Sequence, residues 1–349
     1  MKGSRALLTQ ALSVMKSNIE RTGDPLGFQK DYWSSWAEGL ELPRQGRIML
    51  LTGRMYQMLP YVSETTNMVT RMKPLLAVKT AGKILEMGRR LAGEKAVRLK
   101  ARGAKELKKR GVSALRGVVS ALKAAGIVPA YLYDEEPYSG VLLYDVGLEK
   151  DVIPHVEKVH GLLKRHGVEE VITIDPHTTF VMREVYPKVV KHYDLRVRHY
   201  LEILREKGMA QGKREHTDLP DRFVIHDSCV MARDLHLTRQ PRELARSLDV
   251  EISEPENSGV NTACCGGPVE YAFGELSCRI SAARSRELVK ECKQVLVSCP
   301  ICLLNLSKHE RELGMRVWDL GEVLDRAVLP RASKQDEALS LGTGSLKHA

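Results

Sequence analysis

Three short runs decide the fold: RFVIHDSCVMAR (222–233), CCGGPVEYAFG (264–274) and QVLVSCPICLLNL (294–306). The first and third open on apolar, largely β-branched residues, Arg222–His226 and Gln294–Ser298, which read as buried strands. Each strand runs straight into a cysteine, Cys229 or Cys299. A helical pattern fills 269–291 between them. Short strands alternating with helices predict βα units in a parallel sheet. Ligands of such sheets gather at the carboxyl ends of the strands. Topology alone therefore carries Cys229, Cys264, Cys265, Cys299 and Cys302 to one sheet edge.

Upstream, the same order recurs. RIMLLT (47–52) is a strand candidate that ends in Gly53-Arg54. YSGVLLYDVG begins at Tyr138, a helix pattern covers 148–167, and EVITI (170–174) runs into Asp175-Pro176-His177-Thr178. Asp175 precedes Cys299 by 124 residues and Tyr138 precedes Cys264 by 126, but Arg54 precedes Cys229 by 175. Two matching offsets point to an internal duplication. The excess of about 50 residues points to an insertion in the first copy, which we place at about 69–113. That segment holds fourteen Lys or Arg against three Glu, so it carries +11 of a net charge of +10. Within it, Leu75–Gly93 has apolar residues at near-helical spacing with basic residues between. This predicts a surface that meets an acidic partner subunit or an anionic membrane. The segment has no aromatic residue to stack bases and no nucleic-acid module, which argues against nucleic acid as the partner.

The chain has 349 residues, 28% charged and 43% hydrophobic, the balance of a globular protein with more than one core. The absence of a long apolar run predicts no transmembrane helix. The first 23 residues read as an amphipathic helix, not a signal peptide, and the expected location is cytoplasmic, peripheral to a membrane at most. All seven cysteines lie between Cys229 and Cys302. An odd number crowded into 74 residues reads as a metal or redox site in a reducing compartment, not as a disulfide framework.

The spacing has chemical content. In Cys299-Pro300-Ile301-Cys302 one turn brings two sulfurs to the same side, and Pro300 suits the first turn of a helix. A helix N-terminus favours the thiolate needed for ligation. Adjacent Cys264 and Cys265 suit different metal atoms of a cluster better than one small ion. Gly266 and Gly267 allow close backbone approach, and their N–H groups are candidate donors to cluster sulfur. Zinc on four of the five cysteines is the alternative. Cys278 and Cys292 fall on the predicted helix and read as buried small hydrophobes. His226 and Asp227 read equally as hydrogen-bond partners of the metal centre and as a strand-end cap.

The pattern Cys–x34–Cys-Cys–x33–Cys-x-x-Cys resembles the CCG domain of heterodisulfide reductase subunits B and D and of related iron–sulfur redox subunits. Asn18–Leu40 is similar to the segment that precedes CCG domains in the D-type proteins. The resemblance implies a non-cubane [4Fe–4S] cluster held by Cys229, Cys264, Cys265, Cys299 and Cys302. It implies an oxidoreductase component that passes electrons to a disulfide or related sulfur substrate. The implied partners are a ferredoxin-like iron–sulfur subunit as donor and a membrane or flavin subunit. The first copy departs from the pattern, with Arg54, Tyr138, Ser139, Asp175 and Thr178 where sulfur belongs, so it cannot hold the same cluster. The rival function is that of a non-catalytic, zinc-bound assembly subunit. The expected architecture is α/β, with two pseudo-repeated lobes of parallel βα units. It divides into an N-terminal helical segment (1–46), a cysteine-free lobe (47–210), a cluster lobe (211–329) and a flexible tail (330–349).

Overall fold

The computed structural model describes residues 2–28, 30–62, 105–208, 219–267, 270 and 273–328. The tail from 330 and residues 69–104 of the basic segment, the helix expected at Leu75–Gly93 among them, lie outside the described residues.

Seven strands form two parallel sheets. The first contains β1 (Ile48–Leu51), β2 (Glu170–Thr173) and β3 (Arg196–His199) in the order β1-β2-β3. Ala130 adds a single parallel bridge to Met49 on the outer side of β1. The second contains β4 (Arg222–Ile225), β5 (Glu251–Ser253), β6 (Gln294–Val297) and β7 (Arg316–Asp319) in the order β5-β4-β6-β7. Counting the bridge, both sheets have one strand order. β2, β4, β6 and β7 each bury three of four residues, as parallel strands covered on both faces must. β1, β2, β4 and β6 stand where their apolar runs predict. β3 and β5 hold one apolar residue each and β7 holds two, and the hydrophobic pattern did not single them out.

The helices that matter for the site are α1 (Lys2–Thr22), α2 (Lys105–Ala124), α3 (Glu149–Arg165), α4 (Pro176–Phe180), α5 (Arg239–Ser247), α6 (Gly274–Leu288), α7 (Pro300–Ser307) and α8 (Leu320–Val328). α1 and α3 match their patterns. α6 is shorter than the expected 269–291.

The two sheets share a core. Leu50 and Ile172 of the first sheet belong to the same buried cluster as Val224, Leu296 and Trp318 of the second. α2 and α8 cross at backbone contact distance: a Cβ on Gly117 would lie 2.0 Å from the Gly321 carbonyl oxygen. Buried Arg110 of α2 donates from Nη2 to Glu322 of α8 at 2.9 Å, and Tyr56 Oη donates to Asp319 at the end of β7 at 2.8 Å. This alters the picture at one boundary. Residues 105–113, placed within the basic insertion, form the first turns of α2, where Arg110 and Gly111 are buried. Their lysines and arginine follow helical spacing on a segment whose other face is apolar, and charge counting alone merged them with the basic stretch before them.

Candidate metal centre

In the second sheet the chain passes from β4 outward to β5, then returns to the other side of β4 for β6 and β7. The direction of winding reverses between β4 and β6, and the crevice at such a switch point is where open α/β sheets bind ligands. Cys229 follows β4 and Cys299 follows β6. Cys299 is the N-cap of α7 in extended conformation with Pro300 at N1, so Cys302 lies one turn into the helix.

The CCGG loop is held against this crevice by Asp227. Its carboxylate accepts two hydrogen bonds from Arg242 of α5, each 2.8 Å, and one from the Gly259 amide at 2.7 Å. Thr262 Oγ1 donates to the Asp227 carbonyl at 3.0 Å. Burial pushes the Asp227 carboxyl up, but the Arg242 fork prevails and holds it below the usual range. Gly266 takes φ +81°, and a Cβ there would lie 2.7 Å from the Ser277 carbonyl oxygen. A Cβ on Gly267 would lie 2.0 Å from Ile301 Cγ2. The two glycines thus let the loop lie directly on α6 and α7. The Gly266 amide donates to Cys264 Sγ at 3.3 Å.

The five motif sulfurs form one continuous chain of neighbours that shift each other's ionisation: Cys229 with Cys264, Cys264 with Cys265, Cys265 with Cys302 and Cys302 with Cys299. Cys265, Cys299 and Cys302 are buried; Cys229 and Cys264 are partly exposed. Cys264 is drawn down to about 2, first by Cys229 and then by Cys265. Burial opposes ionisation of Cys299, but Cys302 and His177 hold it well below the usual thiol range. Cys229, Cys265 and Cys302 are pushed up, first by their sulfur neighbours. So many crowded sulfurs cannot all be thiolates without cations between them. Metal coordination deprotonates thiols outright, so the donor set fits an iron–sulfur group.

Cys278 and Cys292 stand apart from the chain. Cys292, just past α6, is partly exposed and its Sγ meets the Arg222 carbonyl at 3.5 Å. Cys278 is exposed on α6, not buried as its helical position suggested, because the buried face of α6 runs through Ser277, Ser281, Ser285 and Leu288. His226 and Asp227 divide the two roles foreseen for them: Asp227 clamps the loop, while His226 Nε2 lies 3.3 Å from Cys302 Sγ. Burial first, then the charge of Arg284, holds the His226 ring neutral, down to about 3.

The first sheet presents a matching but sulfur-free corner. Asp175, like Cys299, caps a helix in extended conformation with proline at N1. Ser139 and Thr178 share a 3.1 Å hydrogen bond where Cys265 and Cys302 meet in the second sheet. Gly140, after Ser139, has φ +86°, close to Gly266 after Cys265. The match fails at Arg54, which has φ +63° against −60° for Cys229. Buried Arg54 fills the corner and donates to Asp24 at 2.9 Å and to the Glu136 carbonyl. His177 of α4 reaches toward the second sheet, where it and Cys299 stabilise each other's charged forms. Burial works against its charged form, but the Cys299 thiolate, Asp145 and Asp175 carry it up to about 9. Asp175 is itself raised to about 6, chiefly by burial. Arg242, Arg284 and the reach of His177 had no sequence motif. Arg284 had one usable signal, its place in the Ser277–Ser281–Ser285–Leu288 stripe of α6.

Comparison with known proteins agrees with this assignment. Residues 223–307 match the cysteine-rich CCG domain family. The chain is 29% identical over 224 residues to "Probable iron-sulfur-binding oxidoreductase FadF" of Bacillus subtilis, covering 62% of this chain and 32% of that protein. It is 27% identical over 226 residues to the "EtfAB:quinone oxidoreductase" of Syntrophomonas wolfei, covering 60% and 31%. It is 29% identical over 202 residues to a "Probable membrane-anchored ferredoxin" of Chromohalobacter salexigens, covering 54% and 29%. The chain thus spans about a third of the length of these relatives. It carries a CCG cysteine-rich domain like that of iron–sulfur oxidoreductases, in an α/β fold of parallel sheets. Among the described residues, no helix is long and apolar enough to cross a membrane.

Proposed function

We propose that this chain holds one iron–sulfur cluster on Cys229, Cys264, Cys265, Cys299 and Cys302 and serves as an electron-transfer component of a heterodisulfide-reductase-like complex. The continuous chain of five sulfurs at the switch point of the second sheet supports this reading. When bound, the cluster, of the non-cubane [4Fe–4S] type in this proposal, supplies one-electron chemistry. The protein's part is to position and shield. Asp227 and Arg242 fix the CCGG loop, α7 presents Cys299 and Cys302, and burial keeps water from three of the sulfurs. Partly exposed Cys229 and Cys264 mark the side from which a partner or a disulfide substrate approaches. The first sheet belongs to a duplicated lobe that has lost its cysteines and covers the second. The names of the relatives favour a flavoprotein, a ferredoxin-like protein or a quinone-linked subunit as partners of a cytoplasmic, membrane-peripheral complex. The basic segment 69–104 docks to the acidic or anionic side of that assembly.

Anaerobic reconstitution with iron and sulfide, followed by metal and sulfide analysis and EPR, tests the reading. Stoichiometric iron and sulfide with broad visible absorption supports it. The proximity of His226, Cys265 and Cys302, whose ligand atoms lie within 4.8 Å of one another, favours a second reading, a zinc-bound assembly subunit. One zinc per chain, without colour or sulfide, would establish that reading instead.

A further inference from the structure

His226 lies with Cys265 and Cys302, their ligand atoms within 4.8 Å of one another, and the contacts of its ring fix which nitrogen carries the proton. Arg284 of α6 is buried, with its side chain 1% exposed. Its Nη2 donates to the Asn257 carbonyl at 2.9 Å, and its Nη1 forms a 2.8 Å ion pair with Glu287. These contacts leave Nε aimed at His226 Nδ1, 3.1 Å away. A guanidinium has N–H donors and no acceptor. Nδ1 must therefore present its lone pair. A neutral imidazole has a single N–H, so that hydrogen is on Nε2, which faces Cys302 Sγ at 3.3 Å.

We propose that Arg284 locks His226 in the Nε2–H tautomer, making His226 a hydrogen-bond donor to the Cys302 sulfur that raises the reduction potential of the centre, and not a metal ligand. Ligation through Nε2 needs a lone pair there and a hydrogen on Nδ1. That hydrogen would meet the Arg284 Nε–H head-on. Ligation through Nδ1 would require Arg284 to leave a pocket in which Nε and Nη2 are hydrogen-bonded and Nη1 is ion-paired with Glu287. A donor to a ligating sulfur stabilises the reduced centre, which carries one more negative charge, and hydrogen bonds to sulfur are a recognised control of potential. Arg284 acts through His226, so both are positioning and tuning residues.

The inference rests on Cys302 ligating a cluster, and its test separates the two claims. The full-length reconstituted protein, labelled with 15N-histidine, is reduced and measured by pulsed EPR, and potentials are read by redox titration of wild type, His226→Leu and His226→Gln. The expected wild-type result is a weak nitrogen coupling together with an exchangeable proton that disappears in deuterated buffer. His226→Leu should lower the reduced-to-oxidised ratio at a fixed potential about tenfold, a shift of about 59 mV downward for a one-electron couple. His226→Gln keeps an N–H donor and should recover part of that shift. A strong coupling of the kind a direct Fe–N bond produces would overturn the proposal, as would a His226→Leu potential equal to that of wild type. If a variant fails to take up iron, the labelled wild type still decides. A wild-type protein without iron or sulfide would remove the cluster reading, and this inference with it.

Discussion

His177, in α4 after β2 of the first sheet, neighbours Cys299, which caps α7 after β6 of the second, and each favours the other's charged form. The cysteine-free half thus reaches a cysteine of the candidate metal centre. Its neighbours Asp145 and Asp175 are both raised, chiefly by burial, and His177 is the cation that opposes this. His177→Leu should leave the buried Asp175 carboxyl and the more exposed Asp145 carboxyl without that cation. The expected cost is about 1–3 kcal/mol of stability, read from the urea midpoint, with faster loss of iron to a chelator. Unchanged iron release would show that the contact does not support the centre.

Serine substitutions sort the seven cysteines. A hydroxyl is a poor ligand for a soft site. Cys265→Ser and Cys302→Ser should each reduce bound iron by roughly half or more, or change the EPR signal. Cys278→Ser and Cys292→Ser should match wild type, since neither joins the chain of sulfurs. Iron loss that tracks Cys278 as strongly as Cys265 would refute the ligand set.

The crossing of α2 and α8 leaves no room for a methyl group. Gly117→Ala places a Cβ 2.0 Å from the Gly321 carbonyl oxygen. Backbone, not a flexible side chain, stands in the way, so the helices must part. We expect a loss of about 3 kcal/mol or more, measured by urea unfolding. A wild-type midpoint would mean that the helices separate at little cost.

Asp319 gives a pH signature. Burial, then the nearby Glu322 charge, raises its carboxyl to about 8 from the ordinary aspartate value of 3.8. Between those values the folded chain holds a proton that the unfolded chain has released. Stability from this group therefore falls as pH rises from about 4 to about 8, by at most about 1.4 kcal/mol per pH unit. Above about 8 both states are ionised and the slope ends. Asp319→Asn lacks the titration, and its amide can donate to Tyr56. The stability difference between variant and wild type should grow with pH across that window and then level off. Parallel curves would contradict the assignment.

Arg54 fills the corner that the cysteines occupy in the other sheet. Its partner Asp24 is raised by burial despite the pull of Arg54, so the pair is costly to break. Arg54→Met should destabilise the protein by about 3–5 kcal/mol in urea unfolding, while iron per folded chain stays constant. A matching loss of iron in the folded fraction would show that this corner also binds metal.

Much of this protein was legible locally. β1, β2, β4 and β6 are runs of buried apolar residues, and a parallel strand covered on both faces leaves that trace whatever surrounds it. Cys299-Pro300-Ile301-Cys302 and CCGG are short-range arrangements, so spacing alone brought out their chemistry. Strands β3, β5 and β7 were not legible, because β3 and β5 hold one apolar residue each and β7 two, too few for a recognisable apolar run.

The sequence by itself determined the α/β class, the gathering of the five cysteines at one sheet edge and the absence of cysteine from residues 1–228. Tertiary structure alone decided that the two sheets share a core, that α2 begins within the basic stretch, that His177 reaches Cys299 and that Arg284 orients His226. Each of these joins residues from separate elements, 122 positions apart for His177 and Cys299 and 58 for His226 and Arg284. A hydrogen bond depends on where two atoms meet after the sheets and helices have packed, and no periodicity along the chain records that meeting.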